Sequence, residues 1–223
     1  MIRKVLPLAA VLVFLVSAAH AQDDTVTPLG KQLSRIDFGI SGAGEFNKSV
    51  SGTVVAPGAV NTGQTLGQTP SNTFGALVTL RYIARPFVGF EGNYGYARYT
   101  QNYSNVPGIA PNLGVQAQTN EYTLGYVVTP VPTLFGFQPF ASVGAGVMAF
   151  KPTPFGGISL NTQARATYYY SVGLQEELFS SHFGIRASFR QNFFLAPDFG
   201  QNYLTIKQRT ITTEPTLGFY FKF

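Results

Sequence analysis

In eight stretches between Arg35 and the C-terminus, large apolar residues recur at every second position with small or polar ones between them. Side chains of an extended strand point alternately to its two faces, so each stretch has one oily face and one polar face. Arg35 to Phe46 sets Ile36, Phe38 and Ile40 against Asp37, Ser41 and Glu45. Thr73 to Ala84 sets Phe74, Ala76, Val78, Leu80 and Tyr82 against Thr79 and Arg81, and Phe87 to Tyr99 sets Val88, Phe90, Tyr94 and Tyr96 against Glu91 and Asn93. Asn120 to Thr129 sets Tyr122, Leu124, Tyr126 and Val128 against Glu121, Thr123 and Gly125. Phe137 to Phe150, Ala164 to Glu177 and Phe183 to Phe193 repeat the scheme, the last with Arg186, Ser188, Arg190 and Asn192 on its polar side. The final stretch, about Lys207 to Phe223, ends with Leu217, Phe219, Phe221 and Phe223 on one face and Thr216, Gly218, Tyr220 and Lys222 on the other.

Eight strands of this length meet the roughly 9 to 11 residues that a tilted membrane-crossing strand needs. Their connections alternate between short and long. Arg85-Pro86, PVPTLFG and LFSSH are short links, whereas about 47–71, 100–118, 151–163 and 196–206 are longer and rich in turn formers. This asymmetry predicts an all-β, eight-stranded antiparallel up-and-down transmembrane barrel with short periplasmic turns and longer external loops. Period two alone does not say which face is inside, so a soluble lipocalin-like binder is an alternative. Its interior would have to hold more aromatic rings than fit.

The N-terminus changes the setting. Arg3 and Lys4, an apolar run from Val5 to Val16, and Ala19-His20-Ala21 have the order of a secretory signal peptide, with cleavage expected after Ala21. The domain plan is then a signal peptide at 1–21, a short segment at 22–34 and a barrel at 35–223. Cysteine is absent, which removes disulfides and thiolate metal sites. Loss of Arg3 and Lys4 lowers the formal net charge of +5 by two, and no basic run remains that could hold nucleic acid.

The signal peptide, the eight amphipathic strands and the closing alternation of Leu217, Phe219, Phe221 and Phe223 resemble the small bacterial outer-membrane β-barrel families, such as the OmpA transmembrane domain, OmpX and the porin-like barrels. The resemblance implies a Gram-negative outer membrane, contact with its lipid and lipopolysaccharide, and recognition of the four terminal apolar residues by the barrel-assembly machinery. It implies no cofactor, and a counterpart of the peptidoglycan-binding domain of full-length OmpA is not expected.

The interior of such a barrel is just wide enough to be filled by side chains. Alternation places Asp37, Glu45, Glu91, Glu121, Glu177 and Glu214 inside, with Arg81, Arg186 and Arg190. Buried charges have to pair, which predicts internal ion pairs that plug the lumen. A sharper alternative has these pairs exchanging partners to open a narrow porin-like path for small solutes. Gly125, Gly144, Gly146, Gly173 and Gly218 also face inward and would leave room for long arginines or for water. A histidine-dependent hydrolase is disfavoured, since the mature chain's one histidine, His182, sits in a short turn away from the outer rim. No metal or catalytic residue is expected. Tyr94, Tyr96 and Tyr168 are expected in an outer aromatic belt, and Phe87, Phe137, Phe183, Phe221 and Phe223 in an inner one. The resulting expectation is a non-enzymatic barrel with a structural or surface-interaction role, its specificity held in mobile external loops whose partner is unknown.

Overall fold

A computed structural model describes residues 28–109, 112–130, 133–157 and 159–223. The expected signal peptide and its cleavage site lie outside the described residues. A short helix, α1 (Pro28–Leu33), precedes β1 (Ile36–Asn47), β2 (Val50–Thr53), β3 (Thr65–Pro70), β4 (Thr73–Arg85) and β5 (Val88–Ser104). β6 (Asn112–Val128), β7 (Gln138–Pro152), β8 (Gln163–Ser180), β9 (Phe183–Leu195) and β10 (Arg209–Lys222) complete the chain.

Eight of these strands close into an antiparallel barrel. The order β5-β4-β1-β10-β9-β8-β7-β6 is sealed by the pairing of β6 with β5. At the seam between the ends of the chain, Asp37 lies opposite Lys222 and Asn47 opposite Thr212, and the Phe223 N–H donates to the Ile36 carbonyl at 3.2 Å. Closure gives each of the eight barrel strands two partners and leaves the barrel wall no backbone edge for hydrocarbon to meet.

The apolar faces point outward. Phe74, Leu80, Phe90, Tyr122, Leu124, Tyr126, Val143, Leu217 and Phe219 are all exposed, while Asp37, Arg81, Glu91, Glu121, Arg186, Arg190 and Glu214 are buried inside. A soluble ligand-holding barrel requires the reverse arrangement. Tyr94, Tyr96 and Tyr168 are exposed on the outer wall, and Phe87 and Phe137 are exposed at the short-turn end.

The long-loop end departs from the expected open loops. Within 47–71, β2 and β3 pair as a hairpin, and β3 continues the sheet by pairing with the top of β5, Gly67 opposite Ser104 and Pro70 opposite Gln101. The expected loop at 100–118 is mostly strand, because β5 and β6 stay paired up to Ser104 and Asn112. Above Tyr96 the alternation changes phase: Tyr99, Tyr103, Val115, Ala117 and Phe150 turn inward and are buried, while Arg98 and Lys151 face out and are exposed. Such an inversion marks the height at which the outer surroundings change from oil to water.

Candidate functional site

The interior is built in layers, starting at the short-turn end. In the lower ionic layer the Arg186 Nη2 donates to Asp37 Oδ1 at 2.9 Å and the Arg81 Nε to Glu91 Oε2 at 2.8 Å. Gln175 joins the two, accepting from Arg186 Nε at 3.0 Å and from Arg81 Nη1 at 3.3 Å. The Arg81 guanidinium lies 4.1 Å from the centre of the Phe140 ring, and that of Arg186 lies 4.6 Å from the centre of the Tyr220 ring. A cation over an aromatic face is attracted by the ring quadrupole, most strongly where water is excluded.

The upper ionic layer turns on Arg190, which is 2% exposed. It donates through both terminal nitrogens to the two carboxylate oxygens of Glu121, and through Nη1 to Glu214 at 2.9 Å. Asn192 donates to Glu121 and Glu214 as well, and Thr123 accepts from Arg190 at 3.1 Å. Tyr169 links the layers. Its ring centre lies 4.3 Å from the Arg190 guanidinium, and its hydroxyl donates to Glu91 Oε1 at 2.8 Å while accepting from Asn93 Nδ2 at 3.1 Å.

Sheet register explains how Tyr169 reaches Glu91. The row Glu91, Gly125, Gly144, Tyr169 runs straight across β5, β6, β7 and β8. A Cβ on Gly125 would collide with the tyrosine hydroxyl, and one on Gly144 would sit 2.5 Å from its ring. On Gly173 a Cβ would sit 2.6 Å from Phe140. The space expected for arginines or water is therefore taken at Gly125, Gly144 and Gly173 by the aromatic rings against which the arginines stack. At Gly146 and Gly218 it is closed by neighbouring backbone.

Two further positions differ from the expected lumen pairing. Glu177 lies at the short-turn rim, 3.1 Å from Lys222 Nζ, with both side chains more than 40% exposed. A register shift at the end of β8, between Glu177 and Ser180, sets this part of the strand apart from the regular ladder. Glu45 has no ion partner among the described residues, since Arg190 is engaged by Glu121 and Glu214. It lines a small void with Tyr99, Glu121 and Glu214.

Two voids deep in the interior are small. One void between the layers and the one beside Glu45 measure about 10 Å³ each, room for at most a single water. A space of about 380 Å³ forms a vestibule at the short-turn mouth, lined by Arg35, Asp37, Arg81, Arg85, Gln175 and Lys222 among others. Its inner wall includes Arg81, part of the lower ionic layer.

At the opposite end a lid of apolar side chains, which the alternation did not disclose, closes the barrel. Val54, Leu66, Tyr99, Tyr103, Val106, Val115, Phe150, Phe194, Phe199, Leu204 and Ile206 form one buried cluster drawn from strands and three connections. Polar contacts knit those connections together. Gln68 Nε2 and the Tyr103 hydroxyl each donate to the Pro197 carbonyl at 2.8 Å, and Asn61 Nδ2 donates to the Tyr203 carbonyl at 3.0 Å. Asp198 is held by Arg165 at 2.9 Å, the Gly200 N–H at 3.1 Å and the Thr205 hydroxyl at 3.0 Å, with Gln163 as a further donor. Burial opposes its charge, yet the Gln163, Gly200, Arg165 and Thr205 contacts outweigh it and hold the carboxyl below the ordinary aspartate range.

His182 is exposed in the turn between β8 and β9, its Nδ1 3.4 Å from the Ser181 hydroxyl. Among the described residues no group of three or more His, Cys, Asp and Glu side chains is placed to hold a metal ion.

Comparison with known proteins agrees with this architecture. The family model for the outer membrane protein beta-barrel domain matches residues 6–219. The crystal structure of the outer membrane protein OprG from Pseudomonas aeruginosa superposes with a TM-score of 0.61 at 15% identity, covering 84% of this chain and 95% of that one. Neisserial surface protein A gives a TM-score of 0.52 at 11% identity, covering 84% and 97%. At these identities the likeness is one of fold. No curated protein matches the sequence significantly.

Proposed function

The chain belongs to the outer membrane protein beta-barrel domain family, and from that premise we propose that it is a non-enzymatic structural barrel of the bacterial outer membrane, with a sealed lumen and a surface-interaction role. Its interior is a packed core, and its interactions are made by the outside wall and the assembled long-loop end. One observation carries this reading: the lumen is blocked twice, by the ionic layers around Arg81, Arg186 and Arg190 and by the apolar lid over them. The void between the ionic layers and the one beside Glu45 hold no more than a water each, which supports a lumen closed to solutes.

Buried ion pairs act as a rigid plug, since moving one charge away from its partner leaves both desolvated and alone. The same expense weighs against a gate that works by exchanging partners. The test is uptake of small sugars and amino acids by vesicles carrying the refolded protein. Uptake no faster than in protein-free vesicles supports the sealed barrel, and size-dependent uptake contradicts it.

A further inference from the structure

The vestibule at the short-turn mouth is lopsided in charge. Its lining carries four cations, Arg35, Arg81, Arg85 and Lys222, against one acid, Asp37. Two of these charges are settled within the lower ionic layer, Asp37 by Arg186 at 2.9 Å and Arg81 by Glu91 at 2.8 Å. Lys222 meets Glu177 at 3.1 Å, but both side chains face water, and an exposed pair of this kind is weak and open to competition. Arg35 and Arg85 have no ion partner among the described residues. Neither Glu177 nor Glu176 lines the space.

Local backbone structure brings the two unpaired arginines to one wall. The Arg35 carbonyl accepts from the Ile83 N–H at 2.8 Å, and the Arg35 Nη1 reaches the Ala84 carbonyl at 3.5 Å, one residue before Arg85. The ladder between β4 and β5 slips between Ile83 and Arg85, and such a bulge breaks the alternation of faces. Ile83, Ala84 and Arg85 consequently all line the space. Across the mouth, Gln175 donates to Gln138 Oε1 at 2.6 Å, which leaves the Gln138 amide nitrogen without an acceptor among the described residues.

We propose that the vestibule binds a small, water-soluble oxyanion carrying two or more carboxylate or phosphate groups. Arg35 and Arg85 would hold it from one wall, with Lys222 released from Glu177 to join them and the Gln138 amide as a neutral donor. The planar guanidinium fork matches carboxylate and phosphate oxygens, and a concave wall of one sign concentrates ions of the other. A volume of about 380 Å³ falls within the range of about 300–1,000 Å³ usual for small-molecule sites. The floor is already neutral, since Asp37, Glu91, Arg81 and Arg186 cancel, so the excess charge lies at the mouth where a ligand arrives. The site does not depend on whether the lumen behind it is sealed.

The test is calorimetric titration of the mature protein, refolded in a non-ionic detergent, with citrate, with pyrophosphate and, as the singly charged comparison, with acetate. Citrate or pyrophosphate should bind at one site and more weakly as salt is raised, and acetate should bind far less well. Arg35→Gln and Arg85→Gln should each weaken the multivalent anion by about tenfold, the worth of one hydrogen-bonded charged partner. The shift of the folded band on boiling shows that each variant forms the barrel. Arg98→Gln with Lys151→Gln, which removes two exposed cations from the opposite end, should leave the affinity unchanged. No binding of either multivalent anion by the wild type, or an equal loss from the changes at the two ends, would overturn the proposal.

Discussion

Arg190 and Glu121 meet face to face across the lumen although their strands, β9 and β6, are separated by β7 and β8 in the barrel wall. The bond is therefore a strut across the interior. Glu214, directly opposite Arg190 on the adjacent strand, completes the cluster.

Removing the arginine alone should be costly. Arg190→Met leaves Glu121 and Glu214 buried together without a cation, a loss of about 3–5 kcal/mol. Unfolding in urea, followed by the gel shift of the folded barrel, should show a lower midpoint. Combining Arg190→Met with Glu121→Met and Glu214→Met should recover most of the loss, because well-packed apolar side chains replace a buried ion cluster at little or no penalty. A triple variant as unstable as the single one would contradict this account.

Tyr169 should prove as important as the charges. Tyr169→Phe removes the donor to Glu91 and the acceptor for Asn93 and should destabilise by about 1–3 kcal/mol. Gly144→Ala should do comparable damage, about 1–3 kcal/mol, since the new methyl meets the Tyr169 ring and the Leu124 carbonyl. Urea midpoints of the two variants check both.

How much of this was legible in the sequence depends on what surrounds each strand. Where the wall faces oil, Leu124, Tyr126, Leu217 and Phe219 must alternate with polar or small residues, so the barrel and the inward parity of Arg81, Glu91 and Arg190 are written in the pattern. Above Tyr96 the outside is water, the phase reverses, and stretches such as Leu113 to Gln118 read as loop. The hairpin of β2 and β3 was hidden for a related reason: four to six residues, mostly Gly, Ser, Thr and Gln, carry no period. Pairing within the lumen depends on register. Parity cannot say that Gly125 and Gly144 clear the way from Tyr169 to Glu91, although an inward tyrosine level with two glycines is a signal that could be sought.

Asp198 makes the lid sensitive to acid. Its carboxyl is held below the ordinary range, so its contribution is complete above the unfolded value near 3.9 and is lost as pH falls through the folded one. Hydrogen exchange at 196–208 should therefore accelerate, relative to the barrel strands, only once the medium is more acidic than about pH 4. Asp198→Asn should show the faster exchange already at neutral pH. Equal protection of the lid at pH 3 and pH 7 would remove this role.

Phe223 contributes one backbone bond to Ile36 and a ring contact with Phe221, centres 5.3 Å apart. Deleting it should leave refolding in detergent nearly unchanged. If Leu217, Phe219, Phe221 and Phe223 act as the assembly signal, the deletion should slow insertion markedly when the purified assembly machinery is supplied. The rate at which the heat-shifting band forms under the two conditions separates a local contact from a recognition signal.

The sealed lumen is tested most directly by single-channel recording of the refolded mature protein in a planar bilayer. The structure predicts a silent trace for the wild type, with Arg81, Arg186 and Arg190 all held by their carboxylates. Discrete openings in the wild type that lengthen or widen when any of these arginines is changed to alanine would contradict it.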